Sequence, residues 1–142
     1  MYNDISIFKA RALEEVKRAK RYLTFVSMVS FDISHIENLE YIENYKSIDS
    51  FYIALRNMVM DASRDTDIVS GVSNGRLFVL LPETPKEGAQ IFSDRLKDII
   101  KYFLVNKAKS PLNWRVATQE SYFPGSKNTS DNLFTALQNI DN

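Results

Sequence analysis

Cysteine is absent and histidine occurs once, at His35. These two gaps exclude disulfides, thiolate nucleophiles, Cys-based zinc or iron–sulfur centres and any multi-histidine metal site within one chain. An excess of one charge is also missing. The 18 Lys+Arg balance 18 Asp+Glu, which argues against a nucleic-acid binder that works by broad phosphate neutralisation. No run approaches the roughly 18 apolar residues of a membrane-spanning helix. The first segment, MYNDISIFKARALEEVKRAKRY, is charged throughout and has no apolar signal-peptide core. Internal repeats and low-complexity stretches are absent. What is present is 142 residues, 44% hydrophobic and 25% charged, enough for one domain with one core and expected to be a soluble cytoplasmic one.

Residues 5–22 read as an N-terminal helix leading into the domain, with Ile5, Phe8, Leu13, Val16 and Ala19 on one stripe and Asp4 as a candidate cap. Its other face holds Lys9, Arg11, Lys17, Arg18, Lys20 and Arg21 against Glu14 and Glu15. That face reads as a solvated helix surface, with a membrane or nucleic-acid surface as the alternative. Residues 23–33 (LTFVSMVSFDI) read as a central buried strand. Residues 36–46 read as a short acidic helix, and 49–63 as a stronger one through Phe51, Ala54, Leu55, Met58 and Val59. Residues 67–73 and 76–81 read as two strands, joined at Asn74-Gly75, a pair that tolerates the positive φ of a two-residue hairpin. A helix is predicted over 86–104, with Ala89, Phe92, Leu96, Ile99, Ile100 and Phe103 inward, then a strand over 112–120. A last helix is predicted over 130–140, capped by Thr129 or Ser130. After the N-terminal helix the order is βααββαβ and a final helix. A hairpin inside that order implies an α+β fold, with helices flanking a mixed, largely antiparallel sheet. The residues after the first strand, SHIEN, form neither a Walker loop nor a dinucleotide fingerprint.

This order, with a hairpin following an R-x-x-D, resembles the GGDEF (diguanylate cyclase) domain of bacterial signalling proteins. Arg18-Ala19-Lys20-Arg21-Tyr22 is similar to that family's helix end, and Phe31-Asp32-Ile33-Ser34 to its strand-end D-x-D with the second Asp replaced. Asp49 falls at the Asp of its guanine-binding G-D pair. Arg64-Asp65-Thr66-Asp67 is similar to its R-x-x-D, and Leu81-Pro82-Glu83-Thr84 to its L-P-x-T. The pieces from Asp32 to Thr84 align without a gap, and Ala117 to Pro124 and Asp131 to Leu137 resemble the last strand and helix more weakly. The resemblance spans about residues 13–137.

The departures fall on the chemistry. The gapless register sets Ser73, Asn74, Gly75, Arg76 and Leu77 on the signature, so Gly75 and Arg76 stand where active members carry metal-holding acids. Glu40 takes the place of the guanine-contacting Asn. The D-x-L-T opening and the A-K…G-R-N finish are missing. Active members join two GTP molecules by 3′-OH attack on an α-phosphate, with metal ions neutralising the charge. Here Asp32, Glu40 and Asp49 mark a vestigial nucleotide site. No catalytic set is intact, and no cofactor is expected, with Mg²⁺ required only by residual cyclase activity. Arg76 is placed to pair with Asp32 instead.

What the resemblance leaves is the R-x-x-D, which in the family binds the product, cyclic di-GMP, at an inhibitory site. Arg64 and Asp67 keep its spacing, and Arg95 is a further candidate phosphate contact. The structural alternative is that Arg64 and Asp67 close the end of the preceding helix. Asp49 likewise reads as an N-cap. His35 reads as a loop residue, and Trp114 with Tyr122 and Phe123 as core. The expectation is a catalytically degenerate regulatory domain in cyclic di-GMP signalling. Two modes stay open: a cyclic di-GMP receptor, or an interaction module for other signalling domains, proteins or a second copy. Residual cyclase activity is a third.

Overall fold

The computed structural model describes residues 5–33, 48–107, 117–124 and 132–140. The helix expected over 36–46, with Glu40, and the residues His35 and Trp114 lie outside them. Four helices and four strands follow in the order α1 (Ile5–Tyr22), β1 (Val26–Asp32), α2 (Ile48–Asp61), β2 (Ile68–Val69), β3 (Arg76–Pro82), α3 (Lys86–Lys107), β4 (Ala117–Phe123), α4 (Leu133–Gln138). The sheet order is β2-β3-β1-β4, and each adjacent pair is antiparallel. A parallel contact, Tyr122 with Asn132, is an isolated bridge outside the strand pairs.

β1 is central because it is apolar on both faces. Its side chains alternate, so Val29, Phe31 and Ile33 face one layer and Val26 and Met28 the other. β3 repeats this with Leu77, Val79 and Leu81 against Phe78 and Leu80. The first set meets Phe51, Leu55 and Val59 of α2 and Ala89, Phe92, Leu96 and Ile100 of α3. The second meets Ile5, Phe8, Ala12, Val16 and Ala19 of α1 and Leu133 and Leu137 of α4. Each helix buries one stripe at 3.6-residue spacing, and the sheet is covered on both sides. On α1 the buried stripe runs through Ala12, and Leu13, expected inward, packs only partly against it.

Several sequence boundaries move for local reasons. β1 starts at Val26 rather than residue 23, because Leu23 takes a left-handed backbone (φ 55°) and Thr24 N–H donates back to the Ala19 carbonyl at 3.0 Å. β2 keeps two residues of the seven expected. Arg56 Nε donates to the Ser70 carbonyl at 3.2 Å, while the Phe78 N–H turns to Ser70 Oγ at 2.9 Å, so the ladder stops there. β4 reaches Phe123, held by its pairing with β1 from Asp32↔Ala117 to Val26↔Phe123. α4 is shorter than predicted and is capped by Asn132, whose side chain accepts from Thr135 N–H at 3.2 Å, rather than by Thr129 or Ser130. α2 already includes Asp49 in its first turn, so Asp49 is inside the helix and is not its N-cap.

Phe31 is fully buried between β1 and the α2–α3 layer, whereas Phe134 on α4 is 48% exposed. Phe31→Ala is expected to cost about 3–5 kcal/mol in urea unfolding, and Phe134→Ala well under about 1 kcal/mol.

Candidate functional site

The Asn74-Gly75 pair forms the turn its residue types require. Both have positive φ, 52° and 73°, and Ser73 and Arg76 exchange backbone hydrogen bonds at 2.9 and 3.0 Å. This is a two-residue hairpin matched to the twist of its strands. Ile33 N–H donates to the Gly75 carbonyl at 2.8 Å, which fastens the turn to the end of β1. Arg76 therefore stands directly opposite Asp32 in the β1–β3 register, and by strand parity both lie on the face that α1 covers. The Arg76 guanidinium sits over the Phe78 ring, 5.0 Å from its centroid, and Phe78 in turn meets Phe8 of α1 at 5.9 Å. The hairpin and the end of β1 are thus neighbours in the sheet, with Leu77 buried in the core; the Arg76 guanidinium lies on the Phe78 ring and forms no ion pair with Asp32, which the sequence had offered as its partner.

The carboxylate that the hairpin register supplies is Asp32, and its opposite residue is a cation. Among the described residues, no group of three His, Asp or Glu side chains is clustered as metal ligands.

The R-x-x-D lies at the other end of β3, about 20 Å from the hairpin by strand rise. Arg64 and Asp67 bind each other. Arg64 Nη2 and Nε donate to Asp67 Oδ1 at 2.9 and 3.2 Å, and the Arg64 backbone N–H donates to Oδ2 at 2.9 Å. The Asp67 N–H returns to the Arg64 carbonyl at 3.0 Å. The Asp67 side chain is fully enclosed, whereas that of Arg64 remains 56% exposed. Arg64 Nη2 also donates to Thr84 Oγ1 at 2.7 Å and to the Pro82 carbonyl at 3.2 Å, and buried Ser27 Oγ donates to the Thr84 carbonyl at 2.6 Å. The R-x-x-D and L-P-x-T segments are therefore two halves of one hydrogen-bonded lock between the α2–β2 turn and the start of α3. Thr84 was legible only as a motif letter, since its partner Arg64 is twenty residues away.

Arg95 does not join them at a shared ligand site. Its Nη2 donates to the Ala62 carbonyl at 3.1 Å and its guanidinium lies over Phe92. It closes the α2 C-terminus, the role the sequence had offered to Arg64. Asp49 is exposed in the first turn of α2, the end of that helix remote from the Arg64 turn. It acts on Tyr52, whose phenol is raised above its ordinary value of 10.0 by burial first and by the Asp49 charge second.

No family model matches the sequence, and no curated protein matches it. Solved structures do. A truncated PA1120 (TpbB or YfiN) from Pseudomonas aeruginosa comprising only the GGDEF domain superposes with a TM-score of 0.62 at 13% identity, over 84% of this chain and 70% of that one. A DGC protein from Thermotoga maritima gives 0.59 at 14% identity, over 91% and 88%. The diguanylate cyclase SiaD of P. aeruginosa, solved in complex with its activator SiaC, gives 0.59 at 15% identity over 82% of this chain, which spans 44% of SiaD. The chain has the GGDEF-domain fold, as its motif order implied.

Two measurements probe the site. Arg64→Ala is expected to cost about 2 kcal/mol, because it strips an enclosed carboxylate of its guanidinium. Asp67→Ala should add little on top of it, so a double-mutant cycle reads a coupling of about 1–2 kcal/mol. For Tyr52, the phenol is protonated in both states below pH 10; above it the unfolded chain releases the proton first, so stability falls as pH rises further. Tyr52→Phe should flatten that alkaline limb in pH-dependent melting.

Proposed function

We propose that this chain is a non-catalytic GGDEF-fold domain that acts in cyclic di-GMP signalling through a protein partner. The observation that carries the reading is the hairpin corner, where Arg76 stands opposite Asp32 and Gly75 contributes only a backbone carbonyl. Phosphoryl transfer between two GTP molecules depends on divalent cations held by carboxylates. A guanidinium at that position repels a dication, and every 1.4 kcal/mol of lost transition-state stabilisation is about tenfold in rate.

The receptor mode is less well supported than the interaction mode. A ligand reading the R-x-x-D needs a free Asp acceptor, and both Asp67 oxygens accept from Arg64 within an enclosed turn. Ligand binding there has to open the lock first, which lowers apparent affinity. The protein-partner mode asks for no such opening. SiaD, of the same fold, is known in complex with an activator protein.

Incubation with GTP and Mg²⁺ or Mn²⁺ is expected to yield no pppGpG or cyclic di-GMP above a protein-free control; clear accumulation of either overturns the non-catalytic reading. Calorimetry with cyclic di-GMP is expected to give no saturable heat at about 100 μM ligand. A tight isotherm abolished by Arg64→Ala restores the receptor mode.

A further inference from the structure

The α1–β1 turn carries a leucine that the fold does not ask for. Leu23 occupies the position just past the helix end where the closure from Thr24 N–H to the Ala19 carbonyl requires left-handed backbone, a conformation that favours glycine. Leu23 is 91% exposed, so packing does not account for it either. Tyr22 and Phe25 flank it at 65% and 46% exposure. Three large apolar side chains thus project from one corner on a backbone fixed before any contact is made.

The collar of this corner is basic. Lys17, Arg18, Lys20 and Arg21 are all exposed, and among the described residues none of them forms an ion pair with a carboxylate. Lys17, Arg18, Arg21 and Tyr22 border a shallow depression of about 390 Å³, with Glu14 at its rim. The chain as a whole is neutral, so this is a local concentration.

We propose that this corner is a peripheral docking site for an anionic lipid bilayer. Leu23, with the Tyr22 and Phe25 rings, enters the boundary between headgroups and acyl chains, and the four cations meet the negative headgroups. The combination selects the partner. A nucleic acid rewards the cations but not a solvent-exposed leucine, whereas a bilayer rewards both. The projecting tip suits a broad surface rather than a pocket. Glu15, Asp65 and Glu83 line the groove beside Arg18 and Tyr22 and are repelled by such a surface, so the contact falls to the side of α1 that carries Lys17, Lys20 and Arg21. Among the described residues, no helix is long and apolar enough to cross a membrane.

The test is flotation of the full chain with phosphatidylcholine vesicles and with vesicles containing about one-third phosphatidylserine. Binding is expected to the second at least about tenfold above the first, and to weaken with added salt. Leu23→Gly separates lipid contact from folding. It should melt about 3 °C higher, because glycine suits the left-handed turn. Its partitioning onto the anionic vesicles should nevertheless fall about tenfold. A Lys20→Glu/Arg21→Glu variant should also lose binding. Absence of binding to anionic vesicles overturns the proposal. So does binding that Leu23→Gly leaves intact while the charge reversal removes it, which marks a general polyanion surface instead.

Discussion

Seven consecutive residue pairs, from Val26 opposite Pro82 to Asp32 opposite Arg76, hold β1 against β3. A slip of one residue would turn every core side chain of one strand toward the wrong helical layer. The two apolar layers, with Phe31 and Leu81 on one side and Met28 and Phe78 on the other, make that slip prohibitive. The same register fixes both candidate corners. At one end it seats Arg76 across from Asp32; at the other it brings Pro82 and Thr84 beside the turn that contains Arg64 and Asp67.

The elements legible in the sequence were those written in periodicity and turn chemistry. The stripes of α2 and α3, the apolar run of β1 and the Asn74-Gly75 hairpin all appear where residue spacing put them. What the sequence did not carry were contacts decided at a distance. β2 looked like seven residues of strand, and nothing local to it reveals that Arg56, on the preceding helix, takes the Val69 and Ser70 carbonyls. Leu23 read as strand because leucine is apolar, although the helix ending before it needed a left-handed residue there.

For the site, the spacing of R-x-x-D and L-P-x-T was readable, and so was the absence of acidic side chains from residues 73–77. The pairing of the first two motifs with each other was not, because a four-letter pattern does not say whether its Asp faces a ligand or its own Arg. The exchange of roles between Arg64 and Arg95 has the same origin. Either guanidinium satisfies the electrostatics of a helix end, and only the packing of α3 against α2 puts Arg95 beside the Ala62 carbonyl.

The capture of β2's carbonyls by Arg56 also shapes how the molecule meets others of its kind. An edge strand with free carbonyls is a template on which a second chain can lay down another strand. Here that edge is two residues long, and the Val69 and Ser70 oxygens are already occupied by a guanidinium. At this side the sheet is terminated chemically as well as geometrically. A further strand laid along this side would have to displace the Arg56 guanidinium from both oxygens.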